Sequence, residues 1–181
     1  MTNITFHGGV NDIGGNKFLV ESKDTKVFMD FGMSFSQEGQ FFSQFLGART
    51  SNSLNDMFEL GILPKIKGLY RRDYARHMDF DGNEDTEIDA VLLTHAHVDH
   101  CAYIPYLRED IPIYCSEESK LILQNFDETS SSQYLTSKQR FQIYENNKGT
   151  MSKATGDKVA IPRRIEIFES GKEFSIDSIG V

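Results

Sequence analysis

The chain's 181 residues and 20.6 kDa amount to a single domain's worth of polypeptide, enough to enclose one core. Hydrophobic residues at 39% and charged residues at 25%, with no apolar run near the roughly 18 residues of a membrane span, exclude disordered, fibrous and helical transmembrane classes. A formal charge of −8 argues against holding nucleic acid by bulk electrostatics. Met1–Phe6 lacks the basic-then-apolar pattern of a secretory leader, and two cysteines, Cys101 and Cys115, are too few for a disulfide framework, so the expected compartment is the cytoplasm.

The first thirty residues read as a β-meander. Ile4–His7 is β-prone, Gly8-Gly9 and Gly14-Gly15-Asn16 break it, Phe18-Leu19-Val20 resumes, and Lys26–Asp30 follows the polar turn Ser22–Thr25. Between Gly32 and Thr86 no period is sustained; Phe41, Phe42 and Phe45 can anchor one helical turn, and Leu54, Met57, Phe58 and Leu60 another. Ile88–Thr94 has the length and apolar content of a buried strand. Pro105 suits the first turn of a short helix through Arg108, because proline has no amide hydrogen to leave unpaired there. Ile111–Cys115 reads as a strand. A helix beginning at Ser116 is expected to bury Leu121, Ile122 and Phe126 on one face. Gln139–Glu145 is expected to be helical, and Ile165–Phe168 with Glu173–Ile176 to form a closing hairpin around Ser170-Gly171-Lys172.

Charge is uneven along this order. Leu63–Arg76 carries five basic residues against Asp73, and Thr136–Arg164 seven against Glu145 and Asp157. Such segments can meet a phosphate-bearing ligand, and Tyr70 and Tyr74 among the first set can stack on RNA; solvated loop is the commoner explanation. His77 reads as a surface residue, His7 as structural, and the two cysteines as small buried hydrophobes.

Chemistry concentrates at Thr94-His95-Ala96-His97-Val98-Asp99-His100, which holds three of the five histidines. With this chain's own composition, HxHxDH would arise by chance in about 3 of 10,000 sequences, so coincidence is a poor account of it. In an extended segment alternate side chains share a face, which lets His95 and His97 present nitrogens to one ion. Past a turn, Asp99 and His100 can face a second ion. A pair of ions can activate a water and polarise a phosphoryl or carbonyl oxygen. Nitrogen ligands with one carboxylate suit zinc best, and manganese where more oxygens contribute.

His95–His100 resembles the HxHxDH signature of the metallo-β-lactamase fold hydrolases. Gly8–Asn16, Phe28-Met29-Asp30-Phe31-Gly32, Leu92-Leu93-Thr94 and Ile104-Pro105-Tyr106-Leu107 make the chain similar to the β-CASP ribonuclease branch, which contains ribonuclease J and the endonuclease of mRNA 3′-end processing. The resemblance spans about residues 6–126 and the two C-terminal strands. It implies an α/β fold, a partial αββα sandwich with a mixed sheet and flanking helices. It implies His95 and His97 on one divalent metal, Asp99 and His100 on the second, Asp99 also holding the attacking hydroxide, and Asp30 orienting a metal-binding histidine from behind. RNA is the implied partner, with no membrane.

The same pattern requires further histidines and a bridging aspartate later in the chain, and no histidine follows His100. Residues 1–181 are therefore expected to be an incomplete metallo-β-lactamase domain without its β-CASP and C-terminal halves. Such a piece would be inactive alone and prone to self-associate through bare sheet surface. Alternatives are a hydrolase of a small ester, thioester or lactone on the same fold, and a non-catalytic module that binds a partner chain or RNA.

Overall fold

The structure is a computed structural model. It describes residues 1–42, 47–49, 52, 54–75, 85–130, 132–138, 142–145, 147–149, 151–154 and 160–181. Phe45, Arg76 and His77, and residues 139–141 of the expected helix, lie outside these.

The meander forms as expected. β1 (Thr2–Phe6), β2 (Phe18–Ser22) and β3 (Thr25–Met29) pair antiparallel in turn, Phe6 opposite Phe18 and Phe18 opposite Met29. β4 (Ala90–Leu92), β5 (Ile113–Cys115) and β10 (Ile165–Ile167) then add in parallel, giving one mixed sheet in the order β1-β2-β3-β4-β5-β10. The expected α/β class holds. Val91 and Ile113 are fully buried, as parallel strands covered on both faces require.

On one face lie α1 (Phe35–Phe41), α2 (Asn55–Glu59), α3 (Val98–Cys101) and α4 (Glu117–Thr129), with a 3-10 turn at Ile104–Tyr106 that takes Pro105 in its first turn. The main core runs between this layer and the sheet, from Phe28 and Phe31 (rings 5.2 Å apart, edge to face) through Met57, Phe58 and Tyr70 to Cys101 and Leu123. Burial pushes the thiols of Cys101 and Cys115 up to about 11, consistent with their reading as inert hydrophobes. The opposite face carries a smaller cluster of Val27, Ala90 and Ile176, with Phe174 stacked against Tyr114.

Four expectations are corrected. Ile165–Ile167 joins β5 in parallel, and the closing hairpin is instead β11 (Ser175–Ile176) with β12 (Ile179–Gly180). Ile165 lies opposite Ile113 and packs against the core, while Ile167 is left 40% exposed. Gln142–Glu145 is a strand, β7, paired with β8 (Met151–Ala154); β6 (Thr136–Lys138) pairs with β9 (Ala160–Pro162). In α4, capped by the Ser116 hydroxyl accepting from the Ser119 amide, the buried positions are Ser119 and Leu123; Leu121 and Ile122 face solvent. Phe126 packs against the core as expected.

The fourth correction concerns the basic segments, which are not uniformly solvated loop. Arg71 is wholly buried, its guanidinium forked onto Asp73 at 3.0 and 2.9 Å and donating to the Lys138 carbonyl at 3.0 Å. Arg163 donates to the carbonyls of Leu107 and Arg108 at 2.7 and 2.9 Å. Carbonyl oxygens and the carboxylates of Asp73 and Glu109, the latter 3.4 Å from Arg71 Nε, replace the water these cations lose, so their charge serves the fold.

Candidate metal centre

The candidate site gathers where β3 and β4 end. β3 stops because Asp30 turns to positive φ (59°), its amide donating to Leu92 O at 3.0 Å. β4 runs out at Leu92, the chain bends at Thr94, and His97, with extended dihedrals, stands at the N-cap of α3. His95 and His97 share a face, their ring centroids 4.6 Å apart. α3 then carries Asp99 and His100 round to the same side.

This loop is pinned through its backbone. The amides of Asn16, Phe31 and Met33 donate to the carbonyls of Asp99, His100 and Val98 at 3.2, 2.7 and 3.1 Å. The approach is so close that a Cβ on Gly32 would stand 1.7 Å from Asp99 O, and one on Gly14, at φ +83°, 2.7 Å from the Asp99 Cβ. Only glycine fits at either place.

Asp30 is 2% exposed and its charge is fully engaged. Oδ1 accepts from the Thr94 amide at 2.8 Å, the Thr94 hydroxyl lies 2.9 Å from Oδ2, and Oδ2 stands 2.7 Å from His100 Nδ1. A carboxylate only accepts, so Nδ1 carries the imidazole proton and Nε2 is left with its lone pair. That lone pair faces the Asn16 side-chain amide at 3.2 Å and Asp99 Oδ2 at 3.3 Å. His95 Nε2 stands 3.1 Å from His97 Nδ1, and its ring centroid 4.0 Å from that of His100. Burial, then the neighbouring His100 and His97, lowers the His95 pKa, which keeps a nitrogen unprotonated at neutral pH.

Among the described residues, no group of three or more His, Cys, Asp or Glu side chains is arranged to hold one ion. The donors fit a metal as pairs. Ligands bound tetrahedrally at 2.0–2.1 Å stand about 3.3–3.4 Å apart, close to the separations of His95 with His97 and of Asp99 with His100. The bare His100 nitrogen facing a carboxylate oxygen is also a pairing of two acceptors, which a cation or a proton between them would satisfy.

The five residues singled out from sequence, Asp30, His95, His97, Asp99 and His100, are thus neighbours in space. Three contributors escaped sequence reasoning. Thr94 joins Asp30 to the histidine cluster, with its hydroxyl 3.1 Å from His95 Nδ1. Asn16 holds the Asp99 carbonyl. Buried Lys17 donates to Gly15 O and Gly32 O at 3.0 and 2.8 Å, tying together the two loops that flank Asp99. A lone lysine beside an apolar strand gives no motif; only the Gly14-Gly15-Asn16 turn hinted that the backbone approaches something there.

The sequence profile of the beta-lactamase superfamily domain matches residues 69–168. Over 134 residues the chain is 30% identical to ribonuclease J of Helicobacter pylori, covering 72% of this chain and 15% of that protein. Over 120 residues it is 28% identical to transcription termination factor FttA of Methanocaldococcus jannaschii, covering 65% and 14%. The chain therefore spans about a seventh of the length of these relatives. A crystal structure of a protein of unknown function from Enterococcus faecalis superposes with a TM-score of 0.63 at 23% identity, over 99% of this chain and 36% of that one, a likeness of fold. The chain belongs to the beta-lactamase superfamily, in the β-CASP branch that includes ribonuclease J.

Proposed function

We propose that this chain carries part of the active site of a metal-dependent ribonuclease that hydrolyses RNA phosphodiesters. The observation that supports it most is the pair of facing donor sets, His95 with His97 and Asp99 with His100, in a chain whose relatives include a ribonuclease J. His95 and His97 would hold one divalent ion and Asp99 and His100 the other, with zinc favoured by the donor set and manganese the alternative. Such ions, when bound, supply a water of lowered pKa and a Lewis acid for a phosphoryl oxygen.

The protein's own groups do the rest. In the neutral imidazole, Asp30 places the proton on His100 Nδ1, so that Nε2 is the nitrogen with the lone pair. Thr94 fixes Asp30 from the other side. Asp99, pinned through its carbonyl, offers a carboxylate oxygen to accept a hydrogen bond from the attacking water, which aims the water's remaining lone pair at phosphorus.

Two protein ligands per ion hold metal more weakly than a four-ligand site, so low turnover is expected of these residues alone. That no three-ligand group forms among the described residues favours a second reading, a binding module without catalysis. Hydrolysis of end-labelled RNA in Zn²⁺ or Mn²⁺, with metal content measured in parallel, separates them. The ribonuclease reading requires bound metal that His95→Ala with His97→Ala abolishes, and any cleavage to be lost with it. Cleavage surviving the double substitution, or a metal content that the double substitution leaves unchanged, rules it out.

A further inference from the structure

Beside Asp99 the surface opens into a cavity of about 640 Å³ lined by Asn11, Asp12, Ile13, Phe35 and Ser36. Its place is fixed by Gly14: a Cβ there would stand 2.7 Å from the Asp99 Cβ and 3.4 Å from the edge of the Phe35 ring. Ile13 and Phe35, linked through Phe35 N to Ile13 O at 3.2 Å, are 76% and 46% exposed. Two large apolar side chains thus stand in solvent next to the polar cluster around Asp99, and a ligand that covered them would gain by removing them from water.

The polar edge of the cavity is anionic. The Asp12 carboxylate accepts from the Ile13 amide at 2.8 Å and from the hydroxyls of Ser36, at 2.6 Å, and Ser34. Those hydroxyls hold its pKa below the ordinary carboxylate range, so it is charged at neutral pH. A phosphate would be repelled here. A flat, uncharged ring is not repelled, and the remaining carboxylate lone pair can accept from a ring N–H or amino group, since a carboxylate offers about four acceptor sites.

We propose that this cavity seats a nucleobase, stacked on Phe35 and packed against Ile13, from the RNA strand whose phosphate lies at the neighbouring metal centre. This rests on the ribonuclease reading. It divides the work between the sites: phosphodiester to the metal pairs, base to the apolar wall, with stacking that tolerates any sequence because every base has a π-face.

The test uses the protein with Zn²⁺ and hexaribonucleotides carrying 2-aminopurine at each position in turn, with fluorescence read immediately on mixing. One position is expected to be quenched, the quench to be lost in Phe35→Ala and kept in Phe35→Tyr. Removing the base at that position should weaken binding to the native protein roughly tenfold or more, and should cost Phe35→Ala little further. Circular dichroism checks that Phe35→Ala is folded. A quench that survives Phe35→Ala, or a missing base that weakens both proteins equally, overturns the base site and leaves the ribonuclease reading standing. RNA that fails to bind the native protein in Zn²⁺ or Mn²⁺ overturns both. If Phe35→Ala shifts only sedimentation, the wall is a contact between protein chains and the proposal is wrong.

Discussion

Nδ1 of His100 lies 2.7 Å from Oδ2 of Asp30, a contact across 70 residues of chain that fixes which nitrogen of the imidazole is free. Asp30→Ala would leave that N–H and the Thr94 amide without their acceptor. Zn²⁺ affinity, measured by competition titration, should fall about 10–100-fold, as removing the partner of a ligating histidine does. Asp30→Asn keeps one carbonyl acceptor and should fall between the native protein and Asp30→Ala. Equal affinity in all three would show that His100 is not a ligand.

Two glycines make a matched pair for testing how tightly the site loops are packed. Gly32→Ala places a methyl 1.7 Å from the Asp99 carbonyl oxygen, against backbone that cannot step aside without breaking the amide contacts of Phe31 and Met33. A loss of roughly 3 kcal/mol or more in urea unfolding is expected, with weaker metal binding. Gly39→Ala, within α1 and with nothing within 4 Å, should instead stabilise by up to about 1 kcal/mol.

Much of the site was legible because its candidate ligands are close in sequence: His95, His97, Asp99 and His100 span six residues, and the apolar run before them marks the strand that precedes them. What was hidden depends on distant partners. Ile165–Ile167 pairs in parallel with β5, a partner distant in the chain that local alternation does not encode. Arg71 and Arg163 look like solvent residues until carbonyls from the 3-10 turn and its surroundings are folded round them. In α4, residues 119, 123 and 126 share the inner face, while 121 and 122, equally apolar in composition, point outward. Hydrophobicity alone favoured the wrong pair.

That helix yields a direct comparison. Leu123 is 1% exposed and Leu121 56%. Leu123→Ala should cost about 2–5 kcal/mol, through lost transfer energy and a residual cavity. Leu121→Ala should stay within about 0.5 kcal/mol, since a solvent-facing leucine gives up little. Denaturant midpoints of the two variants decide it; equal losses would mean that the face assignment of α4 is wrong.

Lys17 supplies a pH signature. Burial lowers its ammonium from 10.5 to about 8, with Asp12 opposing. In the unfolded chain the group keeps its proton up to the higher value. Between about pH 8 and 10.5 the unfolded state therefore binds more protons than the folded one, and stability attributable to Lys17 rises with pH through that window, by up to about 1.4 kcal/mol per pH unit. The buried thiols work in the opposite direction, because they lose protons later when folded than when unfolded. The clean quantity is thus the difference between the native protein and Lys17→Met, in which the thiol contribution cancels. Unfolding free energies from pH 7 to 10 should show the native protein gaining on the variant above pH 8. A difference that stays flat would mean that Lys17 keeps its charge in the fold, held by Gly15 O, Gly32 O and the face of the Tyr103 ring, 5.4 Å away. In that case it would act as a charged clamp on the two loops at every pH in the range.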